Sequence, residues 1–155
     1  MATLKPSPRS KGRPSAALSG AAREALLDAA QDLFGRLGVS GTPLARIASA
    51  AGATPAMVHY YFSSREQLLD ALVEERIRPL LDHVWDPVPE GGGDLEGILA
   101  GLVQRLLEGP GSHPWLPPLW IREVLSEGGQ LRERVLKRLP RAKVAALASA
   151  VARGQ

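Results

Sequence analysis

The sequence predicts an all-α protein, with an N-terminal three-helix helix-turn-helix domain and a short C-terminal bundle of helices. Apolar residues recur every three to four positions along most of the chain, which is the spacing of one helix face. Val, Ile and Thr are sparse, and no long segment alternates apolar and polar residues as a strand would. Two segments rich in proline and glycine, WDPVPEGGGD and GPGSHPWLPP, separate the predicted helices of the second half.

The composition narrows the class of protein. A chain of 155 residues with 45% hydrophobic residues fits one or two small domains with a real core. Cysteine is absent, which excludes a disulfide framework and a thiolate metal site. No apolar run approaches the roughly 18 residues that span a bilayer, and the polar N-terminus does not resemble a secretory signal. We therefore expect a cytoplasmic protein that does not contact a membrane.

The N-terminal segment concentrates positive charge. Residues 1–19 contain Lys5, Arg9, Lys11 and Arg13 but no acidic residue, so the rest of the chain sums to −1 against a total of +3. Prolines and serines make this segment a poor helix or strand former, which predicts a disordered basic arm. Such an arm could contact nucleic-acid phosphates, or it could simply be a solubilising tail.

The first helix is predicted from Gly20 to Leu37, with Ser19 as its N-cap and Gly38 as its C-terminal glycine. One face of this helix is apolar, and it is formed by Leu26, Ala30, Leu33, Phe34 and Leu37.

Two shorter helices follow with the same start signal. Thr42 is predicted to cap the second helix with Pro43 at its first position, and Thr54 and Pro55 repeat that pattern for the third. A glycine-containing turn joins the two helices. Residues 20–63 are therefore predicted to form a helix-turn-helix domain.

The third helix ends in an unusual row of aromatic residues, within TPAMVHYYF. Val58 and Phe62 are four positions apart and are predicted to face the core. His59, Tyr60 and Tyr61 would then face outward, where a ring nitrogen can meet base edges and phenolic hydroxyls can reach phosphates. The alternative is that these aromatics fill a core or a protein interface.

These motifs together resemble a known family. Residues 23–72 contain F-x-x-x-G, then G-T-x-x-x-x-I-A-x-x-A-G, then the aromatic run ending in Tyr-Phe, then S-R-E-x-L-L. This combination resembles the DNA-binding half of the tetracycline-repressor (TetR) family. The resemblance implies a ligand-responsive repressor that binds a palindromic double-stranded DNA operator as a homodimer and is released by a small-molecule effector, without a cofactor. The rival interpretation is a truncated helix-turn-helix interaction protein that no longer binds DNA specifically.

The resemblance also implies the roles of individual residues. Phosphate contacts are expected at Thr42, Tyr61 and Arg65, although Arg65 could instead be an ordinary solvent residue. The start of the recognition helix would enter the major groove, and base or phosphate contacts would follow along it; the residues are Thr54, Pro55, Ala56, His59 and Tyr60. Pro55 and Ala56 depart from the usual polar residue and glycine, so we expect readout to depend on His59, thymine methyl groups and DNA shape.

Residues 64–155 are predicted to form a helical regulatory domain. A linking helix over 64–81 would be kinked or shortened by Pro79. Further helices are predicted at 94–108, 119–125 and 128–153, the last of them interrupted by Pro140. The helix over 94–108 is expected to face inward with Leu95, Ile98, Leu99, Leu102, Val103 and Leu106. The resemblance implies a bundle around a small-molecule pocket, and the candidate lining residues, which could equally be core, are Trp85, Leu99, Val103, Trp115, Trp120 and Glu123.

The sequence gives no support for an enzyme. The three histidines are far apart, no carboxylates cluster at metal-ligand spacing, and no serine lies in a nucleophile elbow. We therefore expect no catalytic residues and no metal site. The chain stops at Gln155, whereas family members usually continue for about two more helices that pair across a two-fold axis. Truncation, dimerisation through other helices and loss of dimerisation all remain open.

Overall fold

A computed structural model of the chain describes residues 16–89 and 94–153. Most of the predicted basic arm therefore lies outside the described residues. Within these ranges the chain is helical without strands, which confirms the all-α prediction. The helices are α1 (Ala16–Leu37), α2 (Leu44–Ala50), α3 (Pro55–Phe62), α4 (Arg65–Leu72), α5 (Arg78–Trp85), α6 (Leu95–Ser112), α7 (Leu116–Trp120), α8 (Arg132–Leu136) and α9 (Arg141–Arg153). Two wider π-helical turns follow α4 and α7, at Val73–Ile77 and Ile121–Leu125.

Helix α1 lies at the centre of the packing and contacts α2, α4 and α7. Its predicted apolar face is buried at Leu26, Ala30, Leu33 and Phe34, which confirms the helical spacing. The prediction was wrong for Leu37, which is 43% exposed because the helix ends there. The start was also wrong, since α1 begins at Ala16 and its N-cap therefore cannot be Ser19.

The second half of the chain packs directly on α1. Gly35 is buried where the segment before α7 crosses the helix, and a Cβ atom added there would lie 2.8 Å from the carbonyl oxygen of Trp115. Only glycine allows this backbone approach. The buried cluster that contains Phe34 extends to Leu119, Val124 and other residues of the second half, so both halves share one core.

The two Thr-Pro start signals have different outcomes. Thr54 caps α3 as predicted, because its side-chain oxygen accepts a hydrogen bond from the N–H of Met57 at 3.4 Å. The prediction for Thr42 was wrong. Helix α2 begins at Leu44 with Pro43 at the capping position and no side-chain cap, and the Thr42 hydroxyl donates instead to the Gly38 carbonyl at 2.7 Å.

The linking helix is longer than predicted. Helix α4, the first π-turn and α5 form one continuous helical segment from Arg65 to Trp85, so Pro79 does not end it. The wider turn lies just before Pro79, and the N–H of Arg78 reaches back five residues to the Val73 carbonyl. A proline lacks the N–H of an ordinary helical bond, and this turn shifts the bonding register ahead of it.

The C-terminal helices differ from the predictions at their ends and faces. Helix α6 extends to Ser112, four residues further than predicted. The helix predicted over 128–153 is interrupted at Pro140 as predicted, into α8 and α9, but α8 begins only at Arg132. The face of α6 that was predicted to point inward is divided: Leu102 is buried at 7%, whereas Leu99, Val103 and Leu106 are exposed at 37%, 54% and 56%. None of the described helices has the length and apolar character needed to cross a membrane.

Ion pairs hold the first π-turn against α1. The guanidinium of Arg23 donates two hydrogen bonds to the Glu75 carboxylate, at 2.6 and 2.5 Å. Next to Arg23 and one turn further along α1, Glu24 and Asp28 accept hydrogen bonds from Arg76 at 2.7 and 2.9 Å. The hydrogen bond from Arg23 lowers the pKa of the Glu75 carboxyl below its ordinary value. Because a lowered carboxyl pKa favours the charged form, the pair stabilises the fold at neutral pH.

We expect Glu75→Gln to lower the free energy of unfolding by about 1 kcal/mol at pH 7, since it removes a bidentate, half-exposed ion pair. The difference from wild type should shrink as the pH falls below about 4, where the unfolded carboxyl protonates, and vanish below the folded pKa. Urea unfolding at several pH values measures this. Asp32→Asn, which breaks an exposed pair with Arg36 inside α1, is the control and should cost less. Equal losses for the two variants would contradict the interpretation.

Truncation of two aromatic side chains of α3, Phe62 and Tyr60, should change the stability of the fold by very different amounts. Phe62 is 2% exposed and Tyr60 is 76% exposed. We expect Phe62→Ala to lower the free energy of unfolding by about 3–5 kcal/mol through loss of buried contacts, and Tyr60→Ala to change it by less than about 0.5 kcal/mol. Thermal and urea melts of both variants measure the difference. A large loss for Tyr60→Ala would mean that this ring is part of the core.

Candidate nucleic-acid interface

The aromatic row of α3 is divided between the core and the surface. Val58 and Phe62 are buried at 1% and 2% exposure, as predicted, and the guanidinium of Arg23 lies 5.1 Å from the centre of the Phe62 ring. His59 and Tyr60 point away from the core and are exposed. The two buried side chains therefore fix the rotation of the helix about its axis, and that rotation decides which residues are presented outward.

The outer face of α3 consists of small and aromatic residues. The structure places five of the predicted contact residues at the surface, all of them exposed: Thr54, Pro55, Ala56, His59 and Tyr60. Small side chains at the N-terminal end allow another backbone to come close. The free N–H groups of that end also carry a partial positive charge. The outer face of α3 therefore has a partly positive N-terminal end, small side chains that let another molecule come close, and the hydrogen-bonding rings of His59 and Tyr60.

Tyr61 lies between α3 and α1 and is half-buried. Its hydroxyl donates to the Ser19 side-chain oxygen at 3.3 Å, and its ring meets Tyr60 edge-on with centroids 5.0 Å apart. The ring therefore supports Tyr60 from the side of α1. Its hydroxyl is already partnered within the chain.

Thr42 is not at the surface, contrary to the expectation of a phosphate contact. The residue is fully buried, its hydroxyl donates to the Gly38 carbonyl, and its backbone N–H donates to the Val39 carbonyl at 3.2 Å. The physical reason is the tight turn after α1, which brings the Thr42 hydroxyl onto a carbonyl left free at the helix end. The side chain closes this turn and has no donor facing solvent.

Arg65 also makes contacts that the sequence did not indicate. Its guanidinium is half-buried, donates to the carbonyls of Val39 and Thr42, the latter at 2.9 Å, and lies 6.0 Å from the centre of the Phe34 ring. These contacts connect the start of α4 to the loop between α1 and α2. The partners are 26 and 23 residues away in sequence, so no local spacing signals the connection.

One basic residue on the helix-turn-helix was overlooked in the sequence. Arg46 lies on α2 and is exposed, whereas the next two residues, Ile47 and Ala48, are fully buried. The apolar neighbours Ile47 and Ala48 were a usable signal, because they indicate the inward face of this short helix and leave Arg46 on the other side. Arg46 places a positive charge on the outer side of the helix that precedes α3.

The candidate ligand-binding residues are not brought together. The three tryptophans, Trp85, Trp115 and Trp120, are half-buried and pack against the core. Leu99 and Val103 are exposed on α6, which corrects the expectation that they line an interior pocket; the face they form has no helix packed over it in the described residues. Of the six candidates, Glu123 alone borders a described cavity, an open one of about 230 Å³ beside the loop between α1 and α2.

Glu123 is buried at 5% exposure, but its carboxylate is occupied by the protein itself. One oxygen accepts a hydrogen bond from the N–H of Val39 at 2.8 Å, and the other accepts from the N–H of Gln130 at 3.1 Å. The side chain therefore connects the second π-turn to the helix-turn-helix. Across the described ranges, no group of three His, Asp or Glu residues is placed to hold a metal ion.

Comparison with known proteins identifies relatives of the chain. Residues 26–72 match the model of the bacterial regulatory proteins of the tetR family. Over 152 residues the chain is 31% identical to the HTH-type transcriptional regulator RutR of Escherichia coli (strain K12), an alignment that covers 95% of this chain and 69% of RutR. Over 60 residues it is 42% identical to the HTH-type transcriptional regulator BetI of Rhizobium meliloti (strain 1021), covering 39% of this chain and 30% of BetI.

The fold also matches a solved structure. A protein from Shewanella sp. PV-4, named as a tetR family transcription regulator, superposes with a TM-score of 0.64 over 86% of this chain and 70% of its own, at 24% identity. At that identity the likeness concerns the fold. The family model matches the helix-turn-helix, and the similarity to RutR extends through both halves of the chain. The chain therefore belongs to the tetR family of bacterial regulatory proteins.

Proposed function

We propose that this chain is a ligand-responsive transcriptional regulator, a repressor, that binds double-stranded DNA through the outer face of α3. The observation that carries the proposal is the division of α3. Val58 and Phe62 anchor the helix, while His59 and Tyr60 remain exposed beside a small-residue N-terminal end. Placing such a helix in a major groove costs no buried contact, because every residue that would face the DNA is already in solvent.

Each outer residue has a chemical role in the proposed complex. The ring nitrogens of His59 can donate to or accept from base edges, and the Tyr60 hydroxyl can donate to a phosphate oxygen. Pro55 and Ala56 offer apolar contact with thymine methyl groups and bring no competing hydrogen-bond donors to the groove. Thr54, which caps the helix, lies where the partial positive charge of the N-terminus would face a phosphate.

The principal phosphate contact of the proposed complex is made by Arg46, in place of Thr42 and Arg65. The Thr42 side chain is buried, and two guanidinium donors of Arg65 serve backbone carbonyls, so neither is the principal phosphate anchor. Arg46 on α2 takes that role, assisted by the basic residues of the arm over 1–19. Tyr61 contributes by supporting Tyr60 and stands at the rim of the interface.

We propose a homodimer that binds a palindromic operator and a small-molecule effector that releases it. A two-fold dimer places two copies of α3 about one DNA turn apart, so that each reads one half-site. The exposed apolar face of α6, with Val103, Leu106 and Leu107 at 54%, 56% and 72%, supports an association that covers it. The half-buried tryptophans Trp85 and Trp115 remain the candidates for contact with an effector.

A second candidate function is that of an interaction protein that binds another protein through the helix-turn-helix. Two expected phosphate contacts, Thr42 and Arg65, face inward, which is compatible with a helix-turn-helix protein that binds a protein partner and lacks specific DNA binding. The discriminating experiment is binding to duplex DNA from around the protein's own gene, against unrelated duplex, at several salt concentrations. A preference for one site supports the regulator, and equal weak binding to all duplexes supports the interaction protein.

We expect His59→Ala and Tyr60→Ala each to weaken binding to the preferred duplex about tenfold or more, since each removes a base or phosphate contact worth roughly 1–3 kcal/mol. Melting temperatures should stay close to wild type because both side chains are exposed. Fluorescence anisotropy with labelled duplex measures the affinity. Tyr60→Phe, which removes the hydroxyl alone, is the matched control for loss of the ring. Unchanged affinity in both alanine variants would exclude α3 as the reading surface.

We expect the complex with the preferred duplex to contain two chains, and Arg46→Ala to reduce the dependence of its affinity on salt. Each phosphate contact removed lowers the slope of log affinity against log salt concentration by about one. Analytical ultracentrifugation gives the stoichiometry, and titrations at several salt concentrations give the slope. Arg36→Ala, which removes an exposed arginine paired with Asp32, is the control. A single bound chain would rule out the dimeric operator complex.

A further inference from the structure

The loop between α1 and α2, residues 38–42, is short, and hydrogen bonds hold both of its ends. Gly38, with φ of 79°, ends α1, and its N–H donates to the Phe34 carbonyl at 2.9 Å. Thr42 closes the other end of the loop through its hydroxyl and its N–H. Between them Val39 is fully buried. The loop therefore has little freedom of its own, and α2 begins two residues after it.

Two charged side chains from distant parts of the chain meet at Val39. Its N–H donates to the carboxylate of Glu123, 84 residues further along, and its carbonyl accepts a hydrogen bond from the guanidinium of Arg65. Glu123 belongs to the second π-turn, whereas Arg65 begins the linking helix. One loop residue thus connects the C-terminal half, the linking helix and the helix-turn-helix.

The surroundings of Glu123 are shaped to deliver this contact. A Cβ atom added to Gly129 would lie 2.4 Å from the Glu123 carbonyl oxygen, so the turn after the π-turn can fold back only with glycine there. The next residue, Gln130, donates its N–H to the second Glu123 oxygen at 3.1 Å and its side-chain amide to Ser40 at 2.6 Å. Hydrogen bonds therefore join this turn to the loop at two residues, Val39 and Ser40.

Burial makes the contact unusual. Among the described residues, the buried polar or charged side chains are Thr42 and Glu123, and both belong to this network. A buried carboxylate is unfavourable unless hydrogen bonds compensate it. Here two backbone N–H donors, of Val39 and Gln130, provide that compensation. Moving the second π-turn away from the loop takes the first of them from the carboxylate and leaves the Val39 N–H without its partner.

We propose that Glu123 is a positioning residue that couples the C-terminal half to the DNA-reading surface by holding the loop between α1 and α2. The inference rests on the proposed function for its second step, from the loop to DNA. A displacement of the second π-turn breaks the hydrogen bond to Val39 and removes the contact by which the C-terminal half holds the loop. The loop leads into α2, and α2 packs on α3, so a shift of the loop changes the position of α3. Glu123 thus acts through the loop and does not contact the effector.

Glu123→Gln tests the proposal with nearly unchanged volume. A glutamine side chain offers one carbonyl oxygen, so it can accept from Val39 or from Gln130 but leaves the other N–H facing an amide donor. Glu127→Gln is the matched control, because Glu127 is an exposed carboxylate beside the same cavity. The readouts are amide hydrogen exchange along the full chain and affinity for preferred and unrelated duplex.

We expect exchange at Val39 to rise about tenfold in Glu123→Gln, with exchange in the buried stretch of α1 unchanged, as for the local loss of one buried hydrogen bond. Affinity for the preferred duplex should fall about tenfold while affinity for unrelated duplex stays the same. Glu127→Gln should change neither. Gln130→Ala, which removes only the exposed bond to Ser40, provides a milder variant and should raise exchange in the loop about two- to threefold.

The outcomes separate the two steps. Unchanged exchange at Val39 in Glu123→Gln would overturn the role of Glu123 in holding the loop. Raised exchange with unchanged preference for the duplex would overturn the coupling to DNA. If the wild-type protein shows no preference for any duplex, the proposed function fails, and the exchange data still decide whether Glu123 holds the loop.

Discussion

The packing of α1 is the constraint on which the rest of the structure depends. This helix of 22 residues has to bury Leu26, Leu27, Ala30 and Phe34 on one side, and the elements that cover them come from both halves of the chain. Helices α2 and α4 approach from the helix-turn-helix side, and α7 approaches across Gly35. A single buried cluster is the result, so the helix-turn-helix and the C-terminal helices are packed through the same core.

Polar contacts add direction to this packing. Apolar burial holds the elements together without a preferred direction, whereas hydrogen bonds to charged groups require short distances and narrow angles. Arg23 and Arg76 fix the first π-turn against α1, Arg134 joins Asp70 of α4 to α8 at 2.7 Å, and Glu123 fixes the second π-turn against the loop at Val39. Burial lowers the pKa of Arg134, but its hydrogen bonds to Asp70 and Glu66 outweigh this and raise it overall. These contacts fix how the C-terminal helices are positioned on the helix-turn-helix.

The sequence predicts features that depend on near neighbours and fails where distant residues decide. The helical spacing of α1, the cap at Thr54 and the inward direction of Val58 and Phe62 all follow from residues within about one or two turns, and the structure confirms them. Thr42 carries the same Thr-Pro signal as Thr54, yet a free carbonyl at the end of α1 captures its hydroxyl. The partners of Arg65 and Glu123, and the exposure of Leu99 and Val103, depend on which elements meet in space, and one sequence alone carries no record of that.

The first π-turn has a consequence for how the linking helix relates its two ends. A π-turn accommodates one extra residue, so the helix beyond it is rotated by about 100° relative to an uninterrupted α-helix. Two neighbouring residues of this turn pair with different parts of the chain: Glu75 pairs with Arg23 of α1, and Glu74 pairs with Arg138 beyond α8. The linking helix therefore consists of two straight helices, α4 and α5, that are rotated relative to each other at the π-turn. Tightening or relaxing that turn would rotate α5 about its axis relative to α4 as well as tilt it. Inserting or deleting one residue there would rotate the contacts of one end of the linking helix and leave the contacts of the other end unchanged.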